Sequence, residues 1–126
     1  MPSQNYRDLI AWQKAMRLAE AVYTASSSLP VQERFGLCAQ MRRAAVSVPA
    51  NIAEGEGRRT DGEFLNQLSA AHGSVRELET HVMLSERLGF LKPGVTETLI
   101  LQASEVGRLV PGLSNSIELR MRKRER

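Results

Sequence analysis

Two histidines, one cysteine and a glycine-arginine turn are the residues of this 126-residue chain whose types suggest chemistry. A di-metal centre in a helical protein needs two Glu-x-x-His pairs and two further glutamates, all facing inward. Neither His72 nor His81 has a glutamate three residues before it, so no metal site is expected. Gly55-Glu56-Gly57-Arg58-Arg59 is rich in glycine, but it lacks both the Gly-x-Gly-x-x-Gly spacing and the lysine of a phosphate-binding loop. It reads as a helix-ending turn. Its arginines either lie solvated or meet an anion at the start of the next helix, where negative charge is favoured. Ser47 and Cys38 sit in no nucleophile elbow and show no histidine partner. A lone cysteine in a helical stretch is ordinarily a small buried hydrophobe. No catalytic residue and no cofactor are assigned.

Charge is the remaining chemical resource. The net charge is +3, and it is unevenly placed. Residues 120–126 hold Arg120, Arg122, Lys123, Arg124 and Arg126 against Glu125, a net +4, so the other 119 residues carry −1. The basic character belongs to a tail and not to the body. Such a cluster can neutralise phosphates. With no aromatic residue among the cations there is no base-stacking platform, so binding there would tolerate any sequence. Arg58 and Arg59 are the second candidate contact. A solvated, frayed terminus is the alternative.

Positioning these groups falls to helices. The chain is 42% hydrophobic and 5% aromatic, a composition suited to helix-on-helix packing. The spacing predicts four helices and no strands. Helix 1 covers roughly residues 6–28, with a stripe of Leu9, Trp12, Met16, Ala19 and Tyr23 widened by Ala15 and Val22. Helix 2 covers roughly 31–56, with Leu37, Met41, Ala45, Val48 and Ile52 on one side and Val46 and Ala53 on the other. Pro49 is expected to kink it. Helix 3 opens on a Thr60–Glu63 capping box. It carries Phe64, Leu68, Ala71, Val75, Leu78, Val82 and Ser85 in alternating steps of four and three. Helix 4 follows Pro93 with Val95, Leu99, Gln102, Val106, Leu109, Leu113 and Ile117, and a kink or short break is expected at Pro111-Gly112. Short loops predict an all-α, antiparallel up-down-up-down four-helix bundle. The expected division is a bundle over 1–119 and a basic tail over 120–126.

Between the two apolar sides of helix 2 runs a polar line of Gln40, Arg43, Ser47, Asn51 and Glu54. Buried without partners, such a line is costly. Arg43, Ser47, Asn51 and Glu54 are therefore expected to form a satisfied oligomer interface, Arg43 or Glu54 pairing with a neighbour and Asn51 bonding across a helix contact, with a ligand groove as the alternative. The first twenty residues are too charged for a signal peptide, and no uncharged apolar run reaches membrane-spanning length. A cytoplasmic protein that does not engage a membrane is expected.

The segment from Phe35-Gly36-Leu37 through Gln40-Met41-Arg42-Arg43-Ala44-Ala45 to Pro49-Ala50-Asn51-Ile52-Ala53-Glu54-Gly55 resembles the signature of bacterial four-helix-bundle proteins encoded in intervening sequences of 23S rRNA genes. Asp8-Leu9, Trp12-Gln13, Arg58-Arg59-Thr60-Asp61-Gly62-Glu63-Phe64 and Gly73-Ser74-Val75 fit the same pattern. Glu105-Val106-Gly107-Arg108-Leu109 is similar to the related accessory proteins of diversity-generating retroelements. The resemblance implies a bundle that assembles as a homopentamer. It also implies partners of the kind those relatives bind, RNA and a reverse transcriptase. The reading that follows is a non-enzymatic oligomer contacting RNA, DNA or a nucleoprotein weakly. The alternative is a structural or protein-interaction oligomer with no nucleic-acid role.

Overall fold

The four rhythmic stretches become four helices in the computed structural model, which describes residues 5–125. They are α1 (Ile10–Ser26), α2 (Leu37–Glu56), α3 (Asp61–Arg87) and α4 (Pro93–Arg124), and no strand occurs among the described residues. Short 3-10 turns, Tyr6–Asp8 and Val31–Glu33, take up the residues that sequence spacing assigned to the starts of helices 1 and 2. Each helix packs on its neighbours in sequence, and α1 closes the ring on α4. The result is a four-helix bundle around one core. No described helix is long and apolar enough to cross a membrane.

α3 follows its predicted seam at every position, from Phe64 to Ser85. Thr60 caps it, with its Oγ1 accepting the Glu63 N–H at 3.1 Å. Its far end is closed by Gly89, whose φ of +81° lies in the left-handed region that favours glycine. The first stripe of α2 is likewise buried from Leu37 to Ile52, while Val46 on its other side is 44% exposed. Cys38 is buried, as a small hydrophobe.

α1 and α4 depart from the expected faces. In α1 the expected Ala15, Ala19 and Val22 are buried together with Ala11 and Leu18, whereas Met16 and Tyr23 are exposed and Trp12 is half-buried. Both stripes have helical spacing, and the small alanines let α1 approach the core closely while the larger side chains stay on its flank. Tyr23 there lies under the Arg42 guanidinium, 4.6 Å from the ring centre. In α4 the buried set is Thr96, Leu99, Ala103, Val106, Val110 and Ile117. Val95 is exposed, and Gln102, Leu109 and Leu113 are half-buried. The seam therefore sits one residue along from the expected one at alternate positions. Neither proline interrupts its helix: α2 runs through Pro49, and α4 runs through Pro111 and Gly112 without a break.

Candidate nucleic-acid interface

The expected boundary after residue 119 falls inside α4, which continues to Arg124. Over its described residues the basic segment is the last turns of a helix, and Arg126 lies outside the described residues. Arg120 and Arg124 stand four apart, on one face of that helix. Both reach Asp61 in the first turn of α3. Arg120 Nη2 donates to Asp61 Oδ1 at 2.7 Å, and Arg124 ion-pairs with the other carboxylate oxygen. The hydrogen bond from Arg120 holds the Asp61 carboxyl below the usual range, against desolvation, which acts the other way, and Arg124 adds to the lowering.

This contact joins the two cationic segments. Asp61 is two residues beyond Arg59, so the end of α4 lies beside the α2–α3 turn. Arg58 is drawn back to Glu54 at 2.5 Å. Arg59, Arg122 and Lys123 are exposed and form no ion pair among the described residues. Over the described residues 54–63 and 118–125 the acids equal the cations in number: Glu54, Glu56, Asp61, Glu63, Glu118 and Glu125 against Arg58, Arg59, Arg120, Arg122, Lys123 and Arg124. The described residues of this end thus offer individual exposed cations and no net positive charge. This shortens its reach in salt.

Because Asp61 is lowered by its partners, its contribution to stability is present above the ordinary carboxylate range and is lost as pH falls through the folded value. The arginines are exposed, so the effect is modest and salt-screened. Asp61→Asn should therefore lower the urea midpoint at neutral pH and low salt. The gap should narrow below about pH 4 and in high salt. A gap independent of both would show that Asp61 acts through something other than charge.

The polar line of α2 borders α3, and three of its members find partners inside the chain. Ser47 and Ser74 hydroxyls share a hydrogen bond of 2.8 Å across the two helices. Asn51 was expected to bond across a helix contact. Its amide instead donates back along α2 to the Ser47 carbonyl at 2.8 Å and hydroxyl at 2.9 Å, because Ser47 lies one turn before it and already spans to α3. Glu54 accepts from Arg58 and from Gln67 of α3. Arg43 is exposed and has no acidic partner among the described residues. The histidines stay apart: His81 bonds Glu77 at 3.3 Å, while His72 lines a groove between α3 and α4. Among the described residues no group of three or more His, Cys, Asp or Glu comes together as metal ligands.

Two of the groups that shape this end were not singled out as site residues from the sequence. Asp61 was legible only as an acid in a helix's first turn, and its partners lie about sixty residues away. Gln67, which braces Glu54, gave no signal.

A family model described as "23S rRNA-intervening sequence protein" matches residues 7–112. The match includes Arg58, Arg59 and Asp61 and stops short of Arg120. The structure is also similar to a solved protein of Bacteroides thetaiotaomicron, described as of unknown function and from the S23 ribosomal protein family. The identity is 23% and the TM-score 0.78, with 83% of this chain and 98% of that chain covered. At that identity the likeness concerns the fold. No curated protein matches the chain.

Proposed function

The chain belongs to the 23S rRNA-intervening sequence protein family, and from that premise we propose that it is a non-enzymatic, self-assembling accessory protein that contacts nucleic-acid phosphates weakly through one end of its bundle. One observation carries this reading. Asp61 gathers Arg120 and Arg124 beside the α2–α3 turn, which leaves Arg59, Arg122 and Lys123 facing outward from the same end. Cations free of intramolecular partners exchange their counterions for phosphates without first breaking an ion pair. No aromatic residue lies among them, so the contact does not read bases.

Self-assembly is supported by the outer side of α2. Val46 lines an apolar groove of about 480 Å³ with Met16, Ala19, Tyr23 and Pro49, and no other described residue covers it. A second copy supplies an apolar neighbour there. Arg43, exposed along the polar line of α2 and without an acidic partner among the described residues, remains available to that copy.

The test is binding of the full chain to single- and double-stranded RNA and DNA across a salt series. Phosphate contact predicts comparable affinity for unrelated sequences and a log–log salt slope of about two or more. Absence of binding at low salt would leave the second reading, an interaction scaffold without a nucleic-acid role. The equal number of acids and cations among the described residues at this end favours that second reading.

A further inference from the structure

The opposite end of the bundle has another character. Here α1 passes to α2, and α3 to α4. Phe35 on the first turn is 88% exposed and Val31 is 75% exposed. Phe35 does not stand on a loose loop. The Gly36 N–H donates to the Glu33 carbonyl at 3.1 Å, and the Glu33 carboxylate accepts the Leu37 N–H at 3.2 Å. Arg34 covers one side of the ring, 5.7 Å from its centre. The second turn lines a hollow of about 660 Å³, walled by Phe90, Leu91, Pro93 and Val95.

An aromatic knob on a hydrogen-bonded turn and an apolar hollow thus occur at one end of one chain. Each also carries one acid and one cation. Glu33 and Arg34 flank the knob, and Glu86 and Lys92 line the hollow. None of these four forms an ion pair among the described residues. An exposed apolar cluster of this kind marks a protein contact. A single-strand site would instead need cations tracking a backbone beside the aromatic group, whereas Val31 and the half-exposed Leu88 give nothing to a phosphate. A surface that carries both its own knob and its own hollow is complementary to itself, which is the condition for a two-fold contact.

We propose that two copies pair end to end, with Phe35 of each seated in the Phe90–Leu91–Pro93–Val95 hollow of the other. Arg34 then faces Glu86 across the contact. The pairing concerns the end away from Arg59 and Arg122, so it stands or falls separately from phosphate binding and from the α1–α2 groove.

Sedimentation equilibrium of the full chain tests it. The wild-type mass should double with concentration, whatever unit the side faces build. Phe35→Glu should abolish the doubling with unchanged helical circular dichroism, and Phe35→Ala should weaken it about tenfold or more. Val46→Glu should reduce the unit yet preserve its doubling. Arg34→Glu should weaken pairing, and Arg34→Glu with Glu86→Arg should restore it. A wild-type mass that never doubles, or doubling that survives Phe35→Glu, overturns the proposal. So does failure of the double charge reversal to restore pairing. Loss of RNA affinity in Phe35→Ala at unchanged mass would make the ring a base-stacking site and overturn it as well.

Discussion

Gly55→Val is expected to lower the stability of the bundle by about 3 kcal/mol, while Gly73→Ala is expected to raise it by about 0.5–1 kcal/mol. Both glycines lie in helices, where glycine is ordinarily worse than alanine for reasons of backbone entropy. Their surroundings reverse the outcome. A Cβ at Gly55 would lie 2.8 Å from both the Gln67 Cβ and the Phe64 Cδ1, so α3 itself would have to move. A Cβ at Gly73 meets nothing within 4 Å. Gly55 therefore sets the approach of α2 and α3, the same seam that holds Ser47 against Ser74 and starts the helix carrying Asp61. Urea unfolding of the two variants measures both signs. A Gly55→Val midpoint equal to wild type would mean that the helices are not in such close contact.

The second large effect belongs to Leu78, which is fully buried in the α3 seam. Leu78→Ala removes its apolar contacts and leaves a cavity that rigid helices close only in part, at a cost of about 2–5 kcal/mol. A domain of this size has about 5–15 kcal/mol in total, so the loss is a large share. Leu101→Ala, at a leucine 65% exposed on α4, should stay within about 0.5 kcal/mol of wild type. Comparable losses in the two variants would contradict the assignment of the core face.

Legibility of the fold varied with the contrast in each helix. α3 was readable residue by residue because its seam repeats unbroken in steps of four and three from Phe64 to Ser85, while the off-seam Leu65, Met83 and Leu84 do not repeat. In α1 the expected face was right at Ala15, Ala19 and Val22, but size misled at its large members: Met16 and Tyr23 stayed outside while Ala11 and Leu18 went in. α4 was displaced for a similar reason: Thr96 and Ala103, one polar and one small, are buried where Val95 and Gln102 were expected. Phe35 was read as part of helix 2, although the chain makes a 3-10 turn first and leaves the ring outside. The cations of the candidate site were evident from composition. Their arrangement was not, because Arg120 and Asp61 meet only once the helices are folded together. The polar line of α2 was visible as a sequence pattern, but the partners that Ser47 and Glu54 take within the chain, Ser74 and Gln67, lie on another helix.

Whether phosphates are contacted at one particular end is tested most directly by two triple variants with the same change in charge. One is Arg59→Ala, Arg122→Ala and Lys123→Ala. The other is Arg17→Ala, Arg87→Ala and Arg108→Ala, at exposed cations elsewhere on the bundle. Fluorescence anisotropy with labelled single-stranded RNA, across a salt series, should show the first variant losing most of its low-salt affinity and about two units of salt slope. The second should bind nearly as wild type does. Equal losses in both would mean that only overall charge matters, and would contradict an interface at the Asp61 end.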